Sequence, residues 1–518
     1  LHFQWVKPRF TLTAVAWKNP RGARTKSTTL SDHVFPSQAA QSASRNRVLA
    51  PWADAWANDR FETLLFCGLL AGLAWAPLWL GGDRPLPWGV NGLWFPALAG
   101  VYELSLVLRD RKHPFALKQI AAPAGLFGLA VIWIVVQTSS LTPTLAAHPI
   151  WAMASDALGV SLSGSISVNP GASALALMRL LTDASVFWLA LQLCRAPARA
   201  LLLLQGLLAI IAAYSAVGLF LSAFFGGAIP FFDDGEAGRF VRSTFVNRNN
   251  FATYAGLGLI IALGLTLRLY RHEVPDQAGL RSYRLNKLIG TTGRRGWLLV
   301  VAGLTILAAL LGTVSRGGVL ASGVGLLTLL ILSFSLKNRR ASEQIETIVF
   351  VTLALVAGFL FFGDRVVGRI STAGLGDSNR MAVYLITFHS ILDAPILGFG
   401  YGAFADVFRM YRDQSISAVG VWDMAHNTYL EVAQGLGLIF GSCLIAALAG
   451  LALQCLKGAI RRHRDATIAT IATCACLLVG LHAMVDFSIQ IEAVALTFMA
   501  ILGAGVAQSV SSRIVSSD

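Results

Sequence analysis

The 518-residue sequence is short of charge. Only 13% of it is Asp, Glu, Lys or Arg, against 55% hydrophobic residues and a mean hydropathy of +0.63. Soluble domains carry about a quarter charged residues, so this deficit excludes an ordinary soluble protein. Cysteine is scarce too, and all six (Cys67, Cys194, Cys443, Cys455, Cys474, Cys476) lie inside or at the ends of apolar runs. That placement argues against a disulfide framework or a zinc site and fits small buried apolar residues. The long polar loops contain no Asp-x-Asp element. Their one dense acidic cluster, 233-DDGE-236, has neither a His nor a further spaced acid beside it, so no metal site is expected. Internal repeats and low-complexity tracts are missing as well, and no cleavable signal peptide is expected within the sequence, whose first apolar run starts only near Phe61.

Long hydrophobic runs are abundant. A helix needs roughly 20 apolar residues to cross the hydrocarbon core of a bilayer. Runs of that kind occur near 61–82, 88–108, 118–138, 172–194, 200–224, 251–269, 297–314, 318–336, 345–363, 428–454, 466–485 and 490–510. The expected fold is therefore an all-α polytopic membrane protein with about twelve transmembrane helices and the lipid bilayer as its first partner. A net charge of +14 would suggest nucleic acid in a soluble protein. Here the basic residues sit between apolar runs, where they report topology, and no nucleic-acid partner is expected.

With the N-terminus in the cytoplasm and the spans alternating, cytoplasmic segments hold 30 of the 41 Lys and Arg. The opposite side holds ten, all Arg, and Arg179 lies within a span. Cytoplasmic loops carry the Lys/Arg excess in membrane proteins, so both termini are expected inside an inner (plasma) membrane. The chain divides into a basic, flexible cytoplasmic arm (1–60), one transmembrane domain (61–510) and a short cytoplasmic tail (511–518). Three long loops then face outward: 139–171, 225–250 and 364–427. The last includes Met381–Leu392, with apolar residues at 381, 384, 385, 388, 391 and 392, a spacing that predicts an amphipathic helix at the membrane surface. Pro395 and the glycines of 398-GFGYG-402 should end it.

Arginine on the side that normally lacks positive charge asks for a reason. Three loops supply it: 239-RFVRSTFVNRNNFA-252 with Arg239, Arg242 and Arg248; the tight turn 315-SRGG-318 with Arg316; and 377-DSNR-380 with Arg380. Guanidinium groups bind phosphate oxygens bidentately and stay charged, and three such loops at one depth could converge on a diphosphate. The competing assignment is that these arginines, with Arg365 and Arg369, snorkel to lipid headgroups or pair with loop acids such as Asp233, Asp234 and Glu236. His426, at the start of the span beginning 425-AHNTYLEVAQGLG-437, could accept a proton from a sugar hydroxyl. Asn427 could orient it or bond the acceptor, with Glu431 one turn beyond. Two further polar pairs stand at i, i+4: His482 with Asp486, and Arg179 with Asp183, the latter expected to be a mutually neutralising structural pair.

Taken in order, 242-RSTFVNRNNFA-252, 315-SRGG-318, Arg380 followed by 395-PILGFGYGAF-404, and 426-HN-427 with nine residues before Gly437 resemble the O-antigen ligase/polymerase superfamily, multi-span membrane glycosyltransferases of GT-C type. The His-Asn spacing places the chain nearest the O-antigen ligase branch, and the resemblance covers roughly 145–500. It implies transfer of a glycan from an undecaprenyl-diphosphate-linked donor at the periplasmic face, without cofactor, nucleotide sugar or metal. The acceptor would be lipid A-core or another glycan. It also implies that Arg242 and Arg316 bind the diphosphate and His426 serves the acceptor hydroxyl, with Arg380, Arg239, Arg248 and Asn427 as further substrate-binding positions. Arg248 departs from the family pattern, where an uncharged residue is common. Three readings follow: a ligase, a polymerase of the same superfamily, or, from another class, a twelve-helix transporter of a lipid-linked or amphipathic substrate. Few ionisable groups at mid-membrane and a 64-residue outer loop count against the transporter.

Overall fold

The computed structural model describes residues 59–229, 240–273, 296–335, 378–416, 422–462 and 465–510, with Phe232 and Gly290 as isolated positions. Among these residues the fold is all helical, with fourteen α-helices and no strand. In chain order they are α1 (Arg60–Trp75), α2 (Pro85–Leu108), α3 (Ala121–Thr138), α4 (Ile150–Leu158), α5 (Pro170–Leu193), α6 (Pro197–Phe224) and α7 (Arg248–Glu273). There follow α8 (Trp297–Gly312), α9 (Arg316–Ser335), α10 (Ser378–Asp393), α11 (Phe404–Tyr411), α12 (Thr428–Arg461), α13 (Thr467–His482) and α14 (Glu492–Ser509).

Among the described residues eight helices are long and apolar enough to cross a membrane: α2, α3 with its leading turn, α5, α6, α7, α9, α12 and α14. Helices α1, α8 and α13 occupy three more of the expected spans but have only 16 residues each. The expected span at 345–363 lies outside the described residues. So do the 1–58 arm, the 511–518 tail, Arg239, Arg365, Arg369 and the acids of 233–236.

Local sequence explains where helices start. Asp59 caps α1 by accepting the Phe61 N–H at 2.9 Å, and Asn169 caps α5 through Ala172 N–H at 3.0 Å. Proline opens α2, α5 and α6, where its missing N–H costs nothing. Helices α7 and α14 are the most enclosed, and side chains such as Leu257, Ile261, Val494 and Leu502 are fully buried between the other helices. Helices α2 and α3 instead leave Leu93, Val107, Leu108 and Ile132 exposed, as lipid-facing surfaces do. At one end of the bundle the charged contacts are basic: Arg109 and Arg111 on Asp59 at 2.7 and 2.9 Å, Arg199 on Glu62, and Arg268 on Asp465 at 2.5 Å. The starts of α7, α9, α12 and α14 lie at the other end.

Helix α12 is interrupted. At Gly437 the backbone takes φ 75° and ψ 168°, a region open essentially only to glycine. The segment 395–400 docks into the break: Leu438 N–H donates to the Pro395 carbonyl (2.7 Å), Phe399 N–H to Gln434 (3.0 Å) and Gly400 N–H to Gly435 (3.0 Å). A Cβ on Gly437 would overlap the Ile396 carbonyl. Buried Gln137 of α3 braces the junction from the third side, its amide donating to Leu397 O of the docked segment at 2.7 Å and to Gly435 O of α12 at 2.8 Å.

The helix expected over Met381–Leu392 is present as α10 and ends before Pro395. Its faces divide differently from the expected single apolar stripe. Val383, Ile386 and Ile391 pack inward with Thr387 and Ser390, while Met381, Leu385, Phe388 and Leu392 form an exposed stripe.

Candidate functional site

Three of the sequence motifs are held in backbone that ordinary residues avoid. Five non-glycine residues have positive φ among those described, and three lie in or directly beside the motifs: Ser243 (φ 53°) after Arg242, Val314 (φ 53°) before 315-SRGG-318, and His426 itself (φ 55°). For a β-branched residue such as Val314 this is an outlier. Strain of about 1–3 kcal/mol at each such residue persists only where surroundings enforce it, which is typical of active sites.

The surroundings are the turn at 482–488, between α13 and α14. Thr428 at the start of α12 donates its N–H to Ala483 O (2.9 Å) and its hydroxyl to Asp486 O (3.2 Å). Arg380 donates to Val485 O at 2.8 Å. Asn249 of α7 donates to the Asp486 carboxylate at 3.0 Å, and Thr253 Oγ1 lies 2.5 Å from His482 Nδ1. The ring of Phe487 stands edge-on to His426 at 5.0 Å. The Arg316 turn abuts the same place, since a methyl on Gly317 would sit 3.0 Å from His482 Nε2. Finally, Val241 N–H donates to Gly312 O at 3.0 Å and ties the Arg242 loop to the turn that leads into Arg316. The structure thus gathers the segments carrying Arg242, Arg248, Arg316, Arg380 and His426.

Three helices begin here with arginine in the first turn: α7 with Arg248, α9 with Arg316 and α10 with Arg380. None has an acid there. The N-terminal end of a helix dipole is positive and disfavours cations by about 0.3–1 kcal/mol. Convergence of three cationic helix starts therefore raises a local field suited to an anion. The starts of α9, α7 and α12 are capped: Ser315 Oγ accepts the Gly318 N–H (3.3 Å), Asn247 Oδ1 the Asn249 N–H (2.8 Å), and Asn427 Oδ1 the N–H groups of Tyr429 and Leu430 (3.1 Å each).

The arginines differ in setting. Arg242 is 4% exposed and donates to the carbonyls of Gly227 (3.1 Å) and Val246 (3.3 Å), so it also braces its own loop. Arg248 lies 4.0 Å over the Phe240 ring, a cation–π contact. Arg316 is half-buried at the first position of α9.

His426 precedes the cap of α12. Its ring is half-buried between Trp422 (5.6 Å) and Phe487, and its carbonyl accepts from the Tyr384 hydroxyl at 2.9 Å. Asn427 acts as the helix cap, while Glu431 reaches back to accept the Ala425 N–H at 3.0 Å and so ties the His426 loop to the first turn of α12. Asp83, between α1 and α2, is pushed up to about 6 by burial, opposed by Arg179 and Arg84 and reinforced by Asp423 of the His426 loop.

Two expected pairs are corrected. Arg179 makes its ion pair with Glu492 (3.8 Å) and donates to Gln490 O; it does not pair with Asp183, one turn along its own helix. His482 and Asp486 do not touch but meet through Ser488, whose hydroxyl is 2.7 Å from Asp486 and 3.4 Å from His482. Asn249, Thr253 and Ser488 were not singled out from sequence. Only the density of small polar residues at apolar run ends marks them.

No curated protein matches the chain. Residues 298–445, which hold Arg316, Arg380, His426 and the Gly437 break, match the family model described as O-antigen ligase. The chain therefore is a multi-pass membrane protein that carries an O-antigen ligase domain, the domain of a glycosyltransferase-type enzyme family.

Proposed function

We propose that this protein is an O-antigen ligase-type transferase, which moves a glycan from undecaprenyl diphosphate to an acceptor sugar of lipid A-core at the periplasmic face of the inner membrane. The observation that supports it best is the convergence of three arginine-bearing helix starts beside His426. In the reaction the bond from the anomeric carbon to the diphosphate oxygen breaks, and a bond from that carbon to the acceptor oxygen forms. The diphosphate leaves with the electron pair, and the acceptor proton passes to the His426 imidazole. Attack opposite the leaving group gives inversion. Arg316 and Arg242 stabilise the developing charge, as preorganised cations do in a water-poor site, with Arg380, Arg239 and Arg248 holding the donor and Asn427 the acceptor side. Arginine takes the place that a divalent ion fills elsewhere, so turnover should persist in EDTA.

The deciding experiment is deletion of the gene, with surface glycans resolved by gel and mass spectrometry. Full-length polymer left on the carrier and absent from lipid A-core is the expected result. Single-repeat glycans would instead make the protein a polymerase with the same chemistry, and unflipped lipid-linked units accumulating inside the cell would make it a transporter and overturn the proposal.

A further inference from the structure

We propose that His482 is a positioning residue of the transfer site: its ring is the stop against which the Arg316–Gly317 peptide rests, and it thereby sets where the Arg316 guanidinium stands. This rests on the reading of Arg316 as a diphosphate ligand.

The ring is 2% exposed and is held from one side only. Nδ1 lies 2.5 Å from Thr253 Oγ1 and 3.4 Å from Ser488 Oγ. Ser488 is fixed in turn, 2.7 Å from Asp486 Oδ1 and 3.1 Å from Asn250 Oδ1, and Asp486 Oδ2 accepts from Asn249 at 3.0 Å. Five polar side chains from α7 and the 482–488 turn thus fix one edge of an imidazole. The opposite edge faces Gly317, where an added methyl would stand 3.0 Å from Nε2 and 3.1 Å from Cδ2. The next residue is blocked from the other direction, because a Cβ on Gly318 would stand 2.5 Å from the Ala252 methyl of α7. The peptide bearing Arg316 is therefore wedged between α7 and the His482 ring. An apolar side chain could fill the space. Only one bonded at Nδ1 is fixed in rotation, and a fixed stop is what a bidentate arginine contact needs, since a 1 Å misplacement can cost roughly 100-fold.

The test uses the purified full chain in detergent, with two readouts: Kd for undecaprenyl diphosphate and the transfer rate at saturating donor. His482→Ala should weaken undecaprenyl diphosphate binding about tenfold and lower the saturated rate at least as much, because a displaced Arg316 also loses its hold on the charge developing on the leaving group. His482→Gln, which can still bond Thr253, should recover most of the affinity. Gly317→Ala alone should also weaken binding, by pressing on the ring. Combined with His482→Ala it should do less harm than the two losses multiplied, because the methyl enters vacated space. Unchanged affinity in His482→Ala, equal failure of His482→Gln, or simple multiplication of the two effects would sink the positioning role. Arg316→Ala in the same assay separates the two ideas. Intact binding there defeats the diphosphate reading and this inference with it, whereas lost binding there and normal His482 variants defeat this inference alone.

Discussion

The roles proposed for Arg316 and His426 differ, and the difference can be measured. Arg316 opens α9 in a turn with Val314 at φ 53° behind it and Gly317 against His482 ahead, so its main chain has little room to adjust. If its guanidinium grips the diphosphate with both arms, Arg316→Lys keeps the charge but loses the fork, and should fail nearly as badly as Arg316→Ala. Donor affinity should fall by about 2–5 kcal/mol, as for a buried charge-assisted contact. His426→Ala should leave donor affinity almost intact and slow turnover roughly 100- to 10,000-fold, because a base acts in the transition state. Donor binding and single-turnover transfer on the same preparations check both, and a fully active Arg316→Lys would falsify the assignment. These two residues were legible in the sequence because a charged or titratable group at the wrong side of a membrane is conspicuous. Thr253, Asn249 and Ser488 were not. Their roles arise from contacts between positions more than 200 residues apart, such as Thr253 with His482, and a hydroxyl near a span end looks the same whether or not it holds a histidine.

At the level of elements, the break in α12 has the most specific cause. The nine residues between Asn427 and Gly437 were visible as a spacing, yet nothing in the periodicity showed why the glycine should be there. Its reason is the 395–400 segment, which borrows the backbone groups that α12 gives up at 434–438. Gly437→Ala combines a glycine-only conformation with a steric overlap on Ile396 O, and should lower thermal stability by about 3 kcal/mol or more. Gly125→Ala, in mid-α3 with nothing within 4 Å of its would-be Cβ, should be neutral or slightly stabilising. Thermal unfolding of the two purified variants decides this; equal melting temperatures would mean that the break does not depend on glycine. Helix α10 teaches a related lesson. Its existence and end were readable from spacing and Pro395, but which apolar residues faced inward was not, because Val383 and Ile386 compete with Met381 and Leu385 for the same environment and only the neighbouring helices choose.

For the whole molecule, the charge asymmetry predicts sidedness. In a variant without the native cysteines, a cysteine at exposed Ser415 should react with an impermeant maleimide in intact spheroplasts, and one at exposed Lys112 only after the membrane is opened. The reverse pattern would put the arginine cluster on the cytoplasmic side and end the proposed reaction. Most of the span architecture was readable in advance, since roughly 20-residue apolar runs have few alternatives in a bilayer. What hydropathy did not reveal is that α8 and α13 are only 16 residues long, and that both stop at the turns that build the site. At 1.5 Å per residue each covers about 24 Å, against a hydrocarbon thickness of about 30 Å. Around these helices the bilayer must thin, or the polar turns must lie below its nominal edge. Where the bilayer thins to match, the arginines come to the level of lipid phosphates, and a diphosphate anchored by its own tail would reach them by lateral diffusion without being lifted from the membrane.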